Sequence, residues 1–289
     1  MLTLFSTPKP FRGHIDVIQR NALRSWTLLH PDAEVILFGD EEGAAEVSRE
    51  LGLRHEPEVR RNARGTKYLR EIFERAQEVA RHDVLCYVNC DIILTDDFLR
   101  AAERVAKRFP NFLMVGRRWD TDITEPLDFA GAGWAARVRV RARVADRQRD
   151  AEWIDYFVFR RGLYAEIPPL LIGRVAWDRW LIRQACQAGA AVVDASDVVV
   201  AVHQNHDYSY HPEGRKGVWE GEEAQQNYAL LEHGKYYATL EEATHHLTSV
   251  GLALNWHRSL VRGRRRLHSV ASQAWFAILH VTRPLRRAL

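Results

Sequence analysis

The chain has 289 residues, 46% hydrophobic and 27% charged, with a formal net charge of +3. This is enough chain for one substantial core, and the composition excludes a disordered or fibrous class. The near-neutral balance gives no overall drive toward nucleic acid, and no uncharged run approaches the roughly 18 apolar residues that cross a bilayer.

Leu2 to Ser6 reads as a short buried strand, ended by Pro8 and Pro10. Residues 14–29 then carry Ile15, Ile18, Ala22, Trp26 and Leu29 at helical spacing. Glu34 to Phe38 forms a second strand that stops at Gly39-Asp40, and residues 41–51 form a helix with Gly52 as its C-cap. Pro57 to Thr66 has no periodicity and reads as a basic loop, followed by a helix over 67–80. The run Val84-Leu-Cys-Tyr-Val is a buried strand that meets Asn89-Cys90-Asp91 before Ile92 to Leu94 resume. A helix over 96–107 and a strand from Phe112 to Gly116 follow. This alternation of strand and helix predicts an α/β sheet with helices on both faces.

From Arg117 to Asp150 the periodicity weakens, and the arginine-rich stretch 134–149 reads as an exposed helix or a loop. Trp153 to Arg160 is a strand pattern interrupted by Asp155, and Ala176 to Ala188 is a helix closed by Gly189. Ala191–Val193 and Val198–Val202 are short buried strands, after which comes the polar aromatic tract from His203 to Gly214. One catalytic-size domain over residues 1–240, with a basic helical extension over 241–289, is the expected organisation.

Asp91 is the first candidate for chemistry. A carboxylate at the end of a buried strand is costly to desolvate unless it meets a cation or donors. In open α/β sheets, ligands sit beyond the carboxyl ends of the strands. Ser6-Thr7-Pro8-Lys9 after the first strand, and Gly39-Asp40 after the second, suit hydrogen bonds to a nucleobase and ribose, although turn chemistry explains them as well. Arg64-Gly65-Thr66-Lys67, expected at a helix start, suits a diphosphate through backbone N–H groups and the Lys67 charge. A solvated basic loop is the alternative.

His203 and His206, directly after an apolar strand and beside Asp207, offer imidazole nitrogen to a metal. Mg or Mn with carboxylate and diphosphate ligands fits this set better than structural zinc, which prefers closed, cysteine-rich ligation. Asp178 stands at a helix start, where the dipole stabilises a carboxylate by about 0.3–1 kcal/mol. It also faces the ligand edge, where a general base would stand. Asp155 has no such structural excuse, because strands disfavour Asp; it is a candidate for orienting a sugar or acceptor hydroxyl.

Taken in chain order, these pieces resemble a nucleotide-sugar glycosyltransferase of GT-A type, over about residues 1–240. The resemblance rests on a nucleotide-binding α/β half, a D-x-D-like Asn89-Cys90-Asp91, the acid in Trp177-Asp178 and the late histidines of HQNHDYSY. It implies a GT-A-like Rossmann-type mixed sheet flanked by helices, with a C-terminal helical extension. It implies Asp91 with His203 or His206 as ligands of an Mn or Mg ion on the donor diphosphate, and Asp178 as base. Asn89 stands where the motif has its first acid, which removes one negative charge near the ion. Lys67 or Lys216 would neutralise the leaving diphosphate, and Gly214-Arg-Lys-Gly217 reads as a lid or a solvated turn.

The implied partners are a nucleotide-sugar donor, by resemblance a uridine diphosphate sugar, and a hydroxyl acceptor on a sugar, glycan or glycolipid. Residues 258–289 pattern as a cationic amphipathic helix, suited to an anionic membrane surface or to a homodimer contact. Three cysteines without CxxC spacing and an amino terminus without a leader pattern predict a cytoplasmic protein, on the inner face of the membrane if the tail anchors it. Two other classes compete. A sugar-phosphate nucleotidyltransferase would want a glycine-rich loop after the first strand, which Phe5-Ser-Thr-Pro-Lys-Pro10 lacks. A nucleic-acid-binding module would use the arginine-rich segments and leave the acids and histidines without a role; no nucleic acid is expected.

Overall fold

A computed structural model describes residues 1–208, 212–232 and 238–256. The parallel strands β1 (Thr3–Ser6), β2 (Glu34–Phe38), β3 (Arg54–Glu56) and β4 (Val84–Val88) form one half of a nine-stranded sheet. The other half is built from β6 (Phe112–Val115), β8 (Tyr156–Arg160), β9 (Ala191–Asp194) and β11 (His245–Leu247), with β12 (Leu252–Leu254) at the edge. The order is β12-β11-β9-β6-β8-β4-β1-β2-β3, and β8 runs antiparallel between β4 and β6. A second sheet, β5-β10-β7, joins β5 (Ile92–Ile93), β10 (Ala201–Gln204) and β7 (Arg118–Thr121).

Strand side chains alternate between faces, so each central strand feeds two cores. Leu4, Val35, Leu37, Tyr156 and Val158 pack with α1 (Gly13–Thr27), α2 (Ala44–Leu51) and α4 (Asp96–Arg108). Phe5, Ile36, Phe38, Phe157 and Phe159 pack on the other face with α3 (Leu69–Val79) and α6 (Trp177–Gln187). This is the expected α/β architecture of a mixed sheet with helices on both sides. A third, smaller core joins Ile93, Val200 and Val202 of the second sheet region to Val138 and Ala142 of α5 (Trp134–Ala145).

Several elements differ from the sequence expectation. The weak stretch after Arg117 contains β7 and α5. His203 and Gln204 belong to β10 rather than following it. Gly214-Arg-Lys-Gly217 is the first turn of α7 (Gly214–Glu220), which runs into α8 (Glu222–Leu230). Residues 245–254, expected within a helical extension, supply β11 and the edge strand β12, and Met1–Ala253 forms one compact unit. The cationic pattern over 258–289 lies outside the described residues. Among the described residues no helix is long and apolar enough to cross a membrane.

Two devices position the functional edge. β1, β2 and β4 are parallel and in register, so they end on one rim at Ser6, Phe38 and Val88. Antiparallel β8 begins on that same rim, because Tyr156 pairs with Val88. Trp26 of α1 then ties the helix layer to the rim: it is fully buried and its indole N–H donates to the carbonyl of Ile92 at 2.8 Å. Trp26→Ala should cost about 3–5 kcal/mol in urea denaturation through the cavity it leaves. Trp26→Phe should lose much less, chiefly the hydrogen bond.

Candidate metal and diphosphate site

The rim carries a cleft of about 770 Å³. Thr7, Lys9, Glu41, Lys67, Asn89, Asp91, Asp155, Asp178, His203 and His206 line it, drawn from the ends of β1, β2, β4 and β10, the loop before α3 and the starts of β8 and α6. Trp153, Trp177, Trp219 and Tyr228 add an aromatic wall.

Asp91 follows β4 and is buried, with 8% of its surface exposed. Its backbone is fixed from the second sheet, where the amide N–H of Gln204 donates to the Asp91 carbonyl at 3.2 Å. The fully buried Gln204 side chain reinforces this by donating to the carbonyls of Ile18 and Asp91 and accepting from Asn21. Because β5 and β10 are antiparallel with His203 opposite Ile92, His203 is delivered beside Asp91. His206 follows three residues later and places Nε2 3.2 Å from Asp91 Oδ2. One ligand atom from each of Asp91, His203 and His206 lies within 4.8 Å of the others.

Asp91 Oδ1 is buried and has no hydrogen-bond partner among the described residues. A buried carboxylate oxygen left unpaired is expensive, so it marks a place where a cation would be held. Burial works against ionisation of Asp91, but the His206 ring, Lys9 and His203 outweigh it and hold the carboxyl well below its ordinary value. His206 Nδ1 contacts the carbonyl of Asp207 at 2.6 Å. A carbonyl only accepts, so Nδ1 is the donor there, and Nε2 is the ring nitrogen turned to the cluster, as in metal-bound histidines. The donor set of one carboxylate oxygen and two imidazole nitrogens therefore fits a divalent ion.

A second group of charges lies beside the first. Arg118 of β7 donates from Nη1 to Asp155 Oδ2 at 3.0 Å and from Nε to Asp120 Oδ1 at 2.8 Å. Asn89 Nδ2 donates to the other Asp155 oxygen at 2.5 Å. Asp120 Oδ1 also stands 3.3 Å from His203 Nδ1, which joins the acid–arginine network to the histidine cluster. The guanidinium groups of Arg118 and Arg149 both lie over the Trp153 ring, at 4.7 and 4.2 Å from its centre. Asp155 precedes β8 instead of lying within it, which removes the conflict between Asp and a strand interior.

Asp178 lies in the first turn of α6, whose N-cap Ala176 takes a left-handed φ of 82°. That is strained for a residue with a Cβ, and it turns the chain so that Asp178 meets the cleft. Desolvation pushes the Asp178 carboxyl up to about 6, against the pull of the Arg179 amide N–H and the Arg179 charge.

Lys67 is almost wholly buried, and burial lowers its pKa while its partner Glu41 resists the change. It donates to Thr7 Oγ1 and pairs with Glu41. Gly39, at φ 110°, is required beside them, since a Cβ there would stand 2.4 Å from Glu41 Oε2 and 2.6 Å from Lys67 Cε. The expected helix start is not at Lys67: α3 begins at Leu69. The preceding loop is instead held by Glu223 of α8, which accepts from Asn62, Thr66 and Arg174.

Three sequence candidates fall outside the cleft. Ser6 is fully buried and its hydroxyl donates to the Val88 carbonyl at 2.5 Å, joining β1 to β4. Asp40 is exposed and paired with Arg61. Lys216 points from α7 into solvent and is not among the cleft residues. Arg64 lines the cleft rim but pairs with Glu222. Arg118, Asp120, Glu41 and Arg174 were not anticipated. Lys9, expected beside a nucleobase and ribose, instead reaches His206 and Asp91.

No protein-family model matches the chain, and no curated protein matches it in sequence. Among solved structures it is similar to S. aureus TarS 1–349 in complex with UDP-GlcNAc, at TM-score 0.47 and 10% identity, over 71% of this chain and 58% of that one. It is similar to glucosyl-3-phosphoglycerate synthase from Mycobacterium tuberculosis in complex with Mg2+ and UDP, at TM-score 0.47 and 12% identity, over 82% and 79%. A mannosyltransferase from Pyrobaculum calidifontis in complex with GDP-Man and Mn2+ matches at TM-score 0.45 and 15% identity, over 73% and 58%. The chain thus spans 58% of the length of the first of these.

Arg118→Met should destabilise the fold by about 3–5 kcal/mol in chemical denaturation, because it leaves Asp155 and Asp120 buried without their shared cation. The double variant Arg118→Met with Asp155→Asn should recover part of that loss.

Proposed function

We propose that the chain is a glycosyltransferase that moves a sugar from a nucleoside-diphosphate sugar to a hydroxyl acceptor, assisted by a divalent ion. One observation carries this reading. Asp91, His203 and His206 converge, with an unpaired buried carboxylate oxygen, on the floor of a large cleft at the carboxyl ends of parallel strands. That edge is where open α/β sheets take their ligands. Asp91, His203 and His206 would hold the ion, and their mixed oxygen and nitrogen donors suit Mn better than Mg, which prefers oxygen alone. When bound, the ion would neutralise the charge that grows on the leaving diphosphate.

The chain's own groups supply the rest. The nucleoside end fits along Thr7 and Lys67, with uridine diphosphate as the proposed nucleotide. The aromatic wall of Trp153, Trp177 and Trp219 suits the apolar faces of sugar rings on the acceptor side. Asp178 accepts the proton of the acceptor hydroxyl as its oxygen bonds to the anomeric carbon, and the bond from that carbon to the diphosphate oxygen breaks. Asp155, with one oxygen on Asn89 and the other on Arg118, positions Asn89 beside the ion site. Attachment to an anionic membrane through residues 258–289 belongs to the same proposal and would bring the cleft to a lipid-linked or envelope acceptor. The nucleic-acid alternative loses support, because Arg139, Arg141 and Arg147 of the arginine-rich segment are tied to Asp96, Glu125 and Asp122.

A nucleoside diphosphate with Mn should raise the melting temperature by about 5 °C or more at saturating ligand. Asp91→Ala should lose that shift and the turnover together; retention of both would remove Asp91 from the site. As a base, Asp178 must be ionised, so turnover should rise with pH through about 6 and fall below it. Asp178→Asn should lower the rate roughly 100-fold or more and abolish that limb, with the nucleotide-dependent melting shift preserved. The same raised carboxyl makes ionised Asp178 a cost to folding: its stabilising contribution is present below the ordinary value of 3.8 and is lost as pH rises through about 6.

A further inference from the structure

Lys9 is held with unusual firmness for a cleft lysine. It lies between Pro8 and Pro10, which restrict the backbone on both sides. Its amide N–H donates to Gln19 Oε1 at 2.6 Å, and its carbonyl accepts from Gln19 Nε2 at 2.8 Å. Gln19, on α1, is only 2% exposed, so a buried amide is committed to one residue's backbone. The side chain extends into the histidine–aspartate cluster, with Nζ 3.0 Å from His206 Nε2 and 3.5 Å from Asp91 Oδ2.

This places an ammonium on the donors proposed above for the ion. His206 offers the cluster a single ring nitrogen, Nε2, because its Nδ1 faces the Asp207 carbonyl. That nitrogen meets either the Lys9 ammonium or an ion, not both. The two cations also repel at such short range. Lys9 must therefore leave before the ion can use His206, and its anchored backbone limits the movement to a swing of the four-carbon stem into the cleft. A diphosphate lying there would receive it.

We propose that Lys9 is a built-in counter-ion that occupies the divalent-ion site and keeps it closed until a diphosphate draws the ammonium away, so that ion and nucleotide are taken up together. The proposal rests on the metal reading of Asp91, His203 and His206. By linkage, the diphosphate tightens the ion as much as the ion tightens the diphosphate. In the full chain, Lys9 then sets how strongly the two are coupled.

The test is Mn binding to the full-length protein, read by the loss of free-ion electron paramagnetic resonance signal, with and without uridine diphosphate. The wild-type protein should bind Mn weakly alone and at least tenfold more tightly with the diphosphate. Lys9→Met should bind Mn without nucleotide at least tenfold more tightly than wild type. It should also bind the diphosphate more weakly when Mn is left out. Lys9→Arg, which keeps the charge, should retain the weak nucleotide-free binding. Lys9→Ala serves in place of Lys9→Met if circular dichroism shows that the latter is misfolded. Nucleotide-free Mn binding within twofold of wild type in the neutral variants overturns the role of Lys9. If wild type plus diphosphate still binds Mn and Asp91→Ala does not, the metal reading survives that result. Absence of Mn binding to wild type even with diphosphate overturns the metal reading, and the role of Lys9 falls with it.

Discussion

A carboxylate at the end of a buried strand must be given partners, and the surroundings of Asp91 are organised around that requirement. The second sheet exists beside the first because β5, only two residues long, pairs with β10 and turns His203 toward the rim. Gln204, Asn21 and Ile18 then lock the Asp91 backbone to α1. The side chain meets His206 and Lys9 through one oxygen, while the other stays buried and unpaired. Without these contacts the desolvation of Asp91 would be uncompensated, and the strand end would have to open to water.

The same accounting explains why acids and bases alternate across the cleft. Asp155, Arg118, Asp120 and His203 form a chain of acids and basic groups, each partner within 3.3 Å of the next. Lys67 and Glu41 form a separate buried pair under Thr7. Such networks hold side chains in fixed positions at low dielectric, and a site built to bind a charged ligand needs that fixity more than it needs stability. Asp178 is the exception. Desolvation, not matched by any cation bond, pushes its carboxyl up to about 6.

Strand ends were the legible part of the site. Asp91, His203 and Asp178 stood out because an acid or imidazole directly beside a buried run or at a helix start has few structural reasons to be there. Ser6 and Asp40 occupied the same kind of position and yet fell outside the cleft. Ser6 is held inward by the bond of its hydroxyl to the Val88 carbonyl of β4, and Asp40 is turned out where Gly39 bends the chain. Lys216 was read from a glycine-flanked turn, but the turn is helical and α7 presents that residue to solvent. Arg118 and Asp120 were invisible because β7 is short, half-buried and polar, so no apolar period announces it.

The sequence by itself determined the α/β alternation, the two-faced core and the strand ends at which chemistry sits, since these follow from local periodicity and the cost of burying charge. Tertiary structure decided which of those ends meet. The antiparallel insertion of β8 brought Asp155 to the rim, and the pairing of β10 with β5 and β7 brought His203 to Asp91 and Asp120. It also decided that Lys9 reaches His206 across 197 residues of chain, a contact fixed by strand order and helix docking rather than by any local pattern.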